Sequence, residues 1–156
     1  MLTVYIDADG CPVKEEVYRV ARRCSLAVRV VANSYLQMPR GVRAELVMVG
    51  SGENVADDWI AAHAGPGDIV VTADIPLASR CLEAGARVVH PKGREFTAES
   101  IGNALAGREL TQHLLEMGVV PGGPAPMGPR DRSRFLNTLD TVVQALLRAL
   151  RPGHSG

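Results

Sequence analysis

Two aspartates follow an apolar run near the start of the chain. In "VYIDADGCP", residues 4–12, Asp7 ends the run and Asp9 comes two positions later. A second apolar run, "IVVTAD", ends at Asp74. Carboxylates that are forced together repel each other, and Mg²⁺ compensates that repulsion well because it prefers oxygen ligands. The sequence therefore predicts a magnesium site if the ends of these two runs meet.

A third acid would complete such a site, and the segment 54–64 offers two. Asp57 and Asp58 both flank the apolar face of the helix predicted there, so the helical pattern does not choose between them. A single Asp after a strand more often caps a helix or forms a turn. Two aspartates at matching strand ends, Asp7 and Asp74, favour the functional interpretation.

Two neutral polar residues lie where they can support the acids. Thr72 comes two positions before Asp74 and therefore points to the same side of the strand. Its hydroxyl can hold a metal-bound water or simply pack inside, and both alternatives stay open. Asn33 ends the second predicted strand, where a turn role is favoured over a place in the site.

Basic residues gather at two places late in the chain, after the fifth predicted strand (Lys92 and Arg94) and around the start of the last predicted helix (Arg130, Arg132 and Arg134). A cluster of cations at a helix start, where the helix dipole disfavours them, predicts phosphate binding. The equally weighted alternative is that they pair with acids such as Asp131 or Glu99. The residues predicted to bind phosphate are Lys92, Arg94, Arg130, Arg132 and Arg134.

The elements that must position these residues alternate along the chain. Apolar runs predict five strands, at 2–6, 26–32, 44–50, 68–74 and 86–90. Helical spacing predicts five helices, which begin near Pro12, at 54, at Pro76, near Thr97 and at about 131. Strand–helix alternation with wholly apolar strands indicates a parallel sheet covered on both faces, whose ligands bind at the carboxyl ends of the strands. A Gly/Pro-rich loop, 118–130, precedes the last helix and is long enough to favour a function.

Bulk composition excludes several classes of protein. The 156 residues are 46% hydrophobic and 22% charged, with 17 Lys plus Arg against 17 Asp plus Glu. This composition predicts one globular domain, 1–150, with a disordered tail at 151–156. Aromatic residues make up 4%, which argues against a base-stacking platform. Three widely spaced cysteines and no membrane-length apolar run predict reduced thiols, a cytoplasmic location and no membrane partner.

Four ordered motifs, "IDADGCP", "VVTADIPLA", "KGREFT" and "GGP…RDRSRF", resemble the YaiI/YqxD family of bacterial proteins. That family resembles a branch of the PIN-like nuclease superfamily. The resemblance implies a five-stranded parallel sheet in the order 3-2-1-4-5, with strands one and four side by side. It also implies Mg²⁺ or Mn²⁺ held by Asp7, Asp74 and Asp57, with Asp9 in place of the acid that many PIN domains carry near strand five.

The expected function is a metal-dependent phosphodiesterase or nuclease that acts on RNA or structured nucleic acid. One alternative is a haloacid-dehalogenase-like phosphatase, because "IDADG" fits a motif in which the first Asp attacks phosphorus. The other is a PIN-like module that binds nucleic acid without cleaving it, which the absence of an acid after strand five supports.

Overall fold

One six-stranded sheet forms the centre of the computed structural model, which describes residues 2–52, 54–116 and 127–150, the side chains of 108–116 excepted. The strands are β1 Thr3–Asp7, β2 Ala27–Ala32, β3 Arg43–Met48, β4 Ile69–Val71, β5 Arg87–Val89 and β6 Glu95–Phe96. The helices are α1 Lys14–Cys24, α2 Val55–His63, α3 Ile75–Glu83, α4 Ala98–Glu116 and α5 Pro129–Ala149.

The strand order is β3-β2-β1-β4-β5-β6. The first five strands are parallel and follow the predicted order, so β1 lies between β2 and β4, with Ile6 paired to Val71. The prediction of five strands is wrong by one, because β6 pairs antiparallel to β5. A strand of two residues is too short to show a hydrophobic period, which is why the sequence did not reveal it.

Helices cover both faces of the sheet. On one face, Val4 and Ile6 pack in a cluster with Val17 of α1 and Phe135 of α5. On the other, Tyr5 packs with residues of α2, α3 and α4, including Ile60, Leu77 and Ile101. Because successive strand residues point to opposite faces, both faces need apolar side chains, which explains the unbroken apolar runs. The α/β architecture is therefore as predicted.

A tight hairpin joins β5 to β6 and fixes the loop 90–94 against α5. Gly93 has a φ of +99°, and a Cβ there would lie 2.7 Å from the backbone carbonyl carbon of Arg134. The Thr138 hydroxyl donates a hydrogen bond of 2.5 Å to the Gly93 carbonyl. Gly93 thus supplies both a left-handed turn and the close approach of the loop to the helix.

Several predicted boundaries shift. Strand four is three residues long rather than seven, because the chain after Val71 turns toward α3. The last helix begins at Pro129, where a proline is tolerated because the first helical N–H needs no partner. Most of the predicted loop 118–130 and the predicted tail 151–156 lie outside the described residues, and the predicted domain extent stays a prediction. Within the described ranges, no helix is both long and apolar enough to span a bilayer.

Candidate functional site

Three carboxylates from three elements gather at the carboxyl edge of the sheet. Asp7 is the last residue of β1, and Asp74 lies between the neighbouring strand β4 and α3. Asp57 comes from the first turn of α2. These three residues are called the carboxylate cluster below. The expectation that strands one and four are neighbours is confirmed by the pairing of β1 with β4, but Asp74 lies three residues beyond the end of β4 and not at its last position.

The acids influence one another electrostatically. Burial raises the pKa of Asp7 above its ordinary value, and the charges of Asp9 and Asp74 raise it further. Burial also raises the pKa of Asp57, to which Asp74, Asp7 and Asp58 add. The folded protein thus holds Asp7 and Asp57 where ionisation is unfavourable, which is the situation that a bound cation relieves.

The alternative between Asp57 and Asp58 has a geometric answer. Asp57 lines a small cavity, of about 130 Å³, together with Asp7, Asp9 and Asn33. Asp58 instead accepts a hydrogen bond of 2.7 Å from Arg80 and is largely exposed. Asn33, for which a turn role was favoured, therefore lies in the wall of the same cavity as Asp7, Asp9 and Asp57, whereas Asp74 lines a neighbouring cavity that it shares with Asp57.

Backbone contacts hold the acids in position. The Asp74 carboxylate caps α3 by accepting a hydrogen bond of 2.8 Å from the Leu77 N–H. Asp7 accepts a longer one, 3.2 Å, from the Asp9 N–H. The buried Thr72 hydroxyl accepts a hydrogen bond of 3.0 Å from the Asp74 N–H, so Thr72 shapes the turn that presents Asp74. Its predicted contact with a metal-bound water stays a prediction.

The donor set fits a magnesium-type ion that keeps some of its water. Among the described residues, no three His, Cys, Asp or Glu side chains lie close enough to enclose a metal ion by themselves. Mg²⁺ is usually bound by one or two carboxylates together with water and substrate phosphate oxygens. The carboxylate cluster can supply those one or two ligands, while water and substrate would supply the rest.

A second feature, called the cationic cleft, adjoins the cluster and has a volume of about 640 Å³. Its charged walls come from the loop 90–94 and from α5. Gly10 and Ala73 border it, and they are the neighbours in sequence of Asp9 and Asp74. The residues that line the cleft are Gly10, Pro12, Ala73, His90, Pro91, Lys92, Arg94, Met127 and Arg134.

The five cations predicted to bind phosphate therefore separate into two groups. Lys92, Arg94 and Arg134 share the cationic cleft, whereas Arg130 is exposed in the first turn of α5 and does not line it. Arg132 donates hydrogen bonds of 2.9 Å to the Glu16 carboxylate and to the Pro12 carbonyl. The structure thus realises the alternative of pairing with an acid for Arg132, whose partner is neither Asp131 nor Glu99, and in part for Arg134, whose guanidinium lies 3.8 Å from the Asp131 carboxylate.

Two residues of this region were missed by the sequence analysis. His90 lines the cationic cleft, and its position directly after β5 was the available signal. Glu16 is buried in α1, where it looks like an ordinary acidic residue of a first helical turn. Its partner Arg132 lies 116 residues away, and such pairing leaves no local pattern.

Replacing Gly93 by Ala is expected to destabilise the fold by roughly 2–3 kcal/mol. A left-handed φ costs about 1–2 kcal/mol for a residue with a Cβ, and the clash with the Arg134 backbone adds overpacking. Gly67→Ala is the matched control, because φ there is +87° but nothing lies within 4 Å of the added carbon. Urea unfolding of both variants isolates the clash, and equal losses would contradict the close approach of the loop to α5.

Replacing Asp7 by Asn is expected to stabilise the metal-free protein at neutral pH, by at most about 1 kcal/mol for a partly solvated charge. The raised pKa of Asp7 means that the folded state binds more protons than the unfolded state. Stability therefore falls as pH rises from the ordinary pKa through the raised folded value. The gain should vanish below the ordinary pKa of 3.8. Denaturant unfolding across the acid-to-neutral range measures it, and a gain independent of pH would contradict the electrostatic cause.

Comparison with other proteins identifies the family of this chain. The family model described as "Uncharacterized BCR, YaiI/YqxD family" matches residues 5–145, and the chain belongs to this family. A UPF0178 protein of Bradyrhizobium sp. (strain ORS 278) is 54% identical over 147 residues, covering 94% of this chain and 90% of that protein. A UPF0178 protein of Caulobacter sp. (strain K31) is 50% identical over 151 residues, covering 97% and 100% respectively. No solved structure matches the chain.

Proposed function

We propose that the protein is a Mg²⁺- or Mn²⁺-dependent phosphodiesterase that hydrolyses RNA or another structured nucleic acid. The observation that carries the proposal is the meeting of carboxylates from the end of β1, the first turn of α2 and the β4–α3 turn at one sheet edge, beside a cleft with three cationic side chains. Acids alone would repel a polyanion. Acids beside cations suit a phosphodiester whose charge is shared between bound metal and protein.

The PIN-like classification belongs to the same proposal. The parallel order of the first five strands, which puts β1 beside β4, supports it. So do the positions of Asp7, Asp57 and Asp74, at a strand end, on a helix and after a strand. The antiparallel β6 is an addition to that pattern.

In the proposed reaction, the acidic residues bind the cation and the basic residues bind the phosphate. One or two of the carboxylates of Asp7, Asp57 and Asp74 would bind the cation directly, with water and substrate as its other ligands; when bound, it would activate water and stabilise the leaving oxygen. Asp9 is exposed and lines the same cavity as Asp7 and Asp57, so its side chain can accept hydrogen bonds from the water around the cation. Lys92, Arg94 and Arg134 bind non-bridging phosphate oxygens and position the strand without reading its sequence. Thr72 and Leu77 fix Asp74 through the hydrogen bonds at the start of α3.

The test is cleavage of end-labelled RNA and DNA oligonucleotides by the purified chain in Mg²⁺, Mn²⁺ or EDTA. We expect cleavage in at least one metal and none in EDTA. We also expect either metal to raise the melting temperature, because a ligand of the folded state alone stabilises it. Binding of nucleic acid that EDTA leaves unchanged, without cleavage in either metal, would overturn the proposal in favour of a binding module.

The phosphatase alternative gives a different chemical outcome. Asp7 would then attack the phosphorus of a phosphomonoester and expel the alcohol, and the phosphoryl group would stay on its carboxylate until water removes it as phosphate. Incubation with a small phosphomonoester, followed by acid quenching and mass spectrometry, detects that adduct. Detection of a phosphoryl-aspartate at residue 7 would support the phosphatase function and contradict the phosphodiesterase proposal.

A further inference from the structure

The cationic cleft has the size and the mixed walls of a small-molecule site. Its volume of about 640 Å³ lies within the range of roughly 300–1,000 Å³ that is typical of such sites. Arg94, Lys92 and Arg134 provide positive charge from two separate elements. Pro12 and Met127 add apolar wall, which a bare anion does not need.

The cleft is held in shape before any ligand arrives. Gly93 brings the loop 90–94 into contact with the backbone of α5, and the Thr138 hydroxyl fastens it by donating to the Gly93 carbonyl. The His90 N–H also donates a hydrogen bond of 2.8 Å to the Arg94 carbonyl. The backbone of this loop therefore does not have to be ordered when a ligand binds, which favours affinity.

His90 adds a neutral hydrogen-bond donor to this cationic wall. Its Nδ1 accepts a hydrogen bond of 2.9 Å from the Lys92 N–H, so the proton of the neutral ring is on Nε2. The ring also contacts Phe96, with a centroid distance of 5.9 Å. Burial lowers the pKa of His90, and Arg94 and Lys92 lower it further against the opposing effect of Asp131.

We propose that the cationic cleft is a subsite for one nucleotide, whose phosphate is bound by Arg134, Lys92 and Arg94 and by the Nε2–H of His90. Its ribose and base lie against Pro12 and Met127. The nucleotide is either a free nucleoside monophosphate or one residue of a strand, since both present the same phosphate. The statement that this nucleotide is part of the substrate rests on the proposed function. If the protein is a phosphodiesterase, the neighbouring carboxylate cluster acts on the phosphodiester next to the bound nucleotide.

The experiment is calorimetric titration of the full chain in EDTA, with uridine monophosphate, inorganic phosphate, uridine and a short single-stranded oligonucleotide as probes. We expect uridine monophosphate to bind more tightly than inorganic phosphate, and uridine not to bind. Tighter binding of the oligonucleotide would assign the cleft to a strand, and equal binding would assign it to a free nucleotide. Absence of binding by both nucleotide probes would overturn the proposal.

Three variants locate the site. Arg134→Gln removes one charge, and His90→Asn removes the Nε2 donor while its side-chain oxygen can still accept from the Lys92 N–H. Each should weaken binding of uridine monophosphate about tenfold, the effect of losing one hydrogen bond to a charged group. Arg148→Gln, in the last turn of α5, should leave binding unchanged. Equal weakening in all three variants, or none in the first two, would overturn the proposal.

Asp74→Asn separates this proposal from the proposed function. It should leave metal-free binding of uridine monophosphate intact, because Asp74 is not among the residues that line the cationic cleft. Nucleotide binding without hydrolysis would contradict the phosphodiesterase alone. Hydrolysis without any dependence of binding on His90 and Arg134 would contradict the subsite alone.

Discussion

Asp74→Asn is expected to reduce metal-dependent hydrolysis by about a thousandfold while the protein stays folded. A carboxylate that holds the cation contributes several kcal/mol of charge stabilisation in the transition state, and 1.36 kcal/mol corresponds to a factor of ten in rate. Asp74 also caps α3 through the Leu77 N–H. Asn caps helices as well as Asp does, so this variant removes the charge and keeps the cap.

Two controls make the result specific. Asp58→Asn changes an acid of the same neighbourhood that pairs with Arg80, and we expect it to retain full activity. Asp74→Ala loses the cap as well and should unfold about 1 kcal/mol more easily than Asp74→Asn. Single-turnover rates and thermal melts with and without Mn²⁺ give both quantities. An Asp74→Asn variant with the wild-type rate, or with the wild-type metal-induced rise in melting temperature, would show that the metal binds elsewhere.

The central part of the sheet could be predicted because its chemistry is local. Runs such as "IVV" in β4 are apolar throughout, since a strand covered on both faces cannot alternate with polar residues. The family resemblance added the strand order, and the pairing of Ile6 with Val71 confirms the neighbourhood that this order implied. The closeness of Asp7 and Asp74 then follows, because Asp7 ends β1 and Asp74 lies in the turn that leaves the carboxyl end of the neighbouring β4.

The parts that could not be predicted depend on contacts between distant residues. Asp57 and Asp58 are equivalent on the helical pattern of α2, and tertiary contacts separate them: Asp57 lines the cavity of Asp7, whereas Asp58 pairs with Arg80 of α3. Which residues line the cationic cleft likewise depends on the contact between Gly93 and the backbone of Arg134. No spacing in the sequence indicates this contact. His90 was assigned no function from the sequence. It accepts a hydrogen bond from the Lys92 N–H within a hairpin whose second strand is two residues long, and so short a strand leaves no pattern in the sequence.

Arg132→Ala is expected to destabilise the protein by about 3 kcal/mol. The variant leaves the carboxylate of Glu16 buried, and the residue is only 9% exposed. Glu16 Oε2 already has no hydrogen-bond partner in the described part of the chain, so loss of Arg132 deprives Oε1 of its 2.9 Å bond as well. Removing one partner of a buried ion pair typically costs 3–5 kcal/mol. We expect the lower end because the Arg132 side chain is 43% exposed and water can partly replace it.

Arg134→Ala is the matched control on the same helix. Its 3.8 Å pair with Asp131 is largely exposed on the Arg134 side, so its loss should cost less than about 1 kcal/mol. Urea unfolding of the two variants should therefore separate a structural arginine from one that faces the cationic cleft. Equal losses would contradict the assignment of Arg132 to the buried pair.

Adding Glu16→Gln to Arg132→Ala tests the cause of the loss. If the cost comes from an uncompensated buried charge, the double variant should be more stable than Arg132→Ala, because the neutral amide needs no cation. If the cost comes instead from the hydrogen bond that Arg132 donates to the Pro12 carbonyl, Glu16→Gln should recover nothing. That second result would mean that Arg132 mainly holds the loop 8–12, which carries Asp9 toward the carboxylate cluster. Arg132→Ala would then also be expected to lower the rate of hydrolysis.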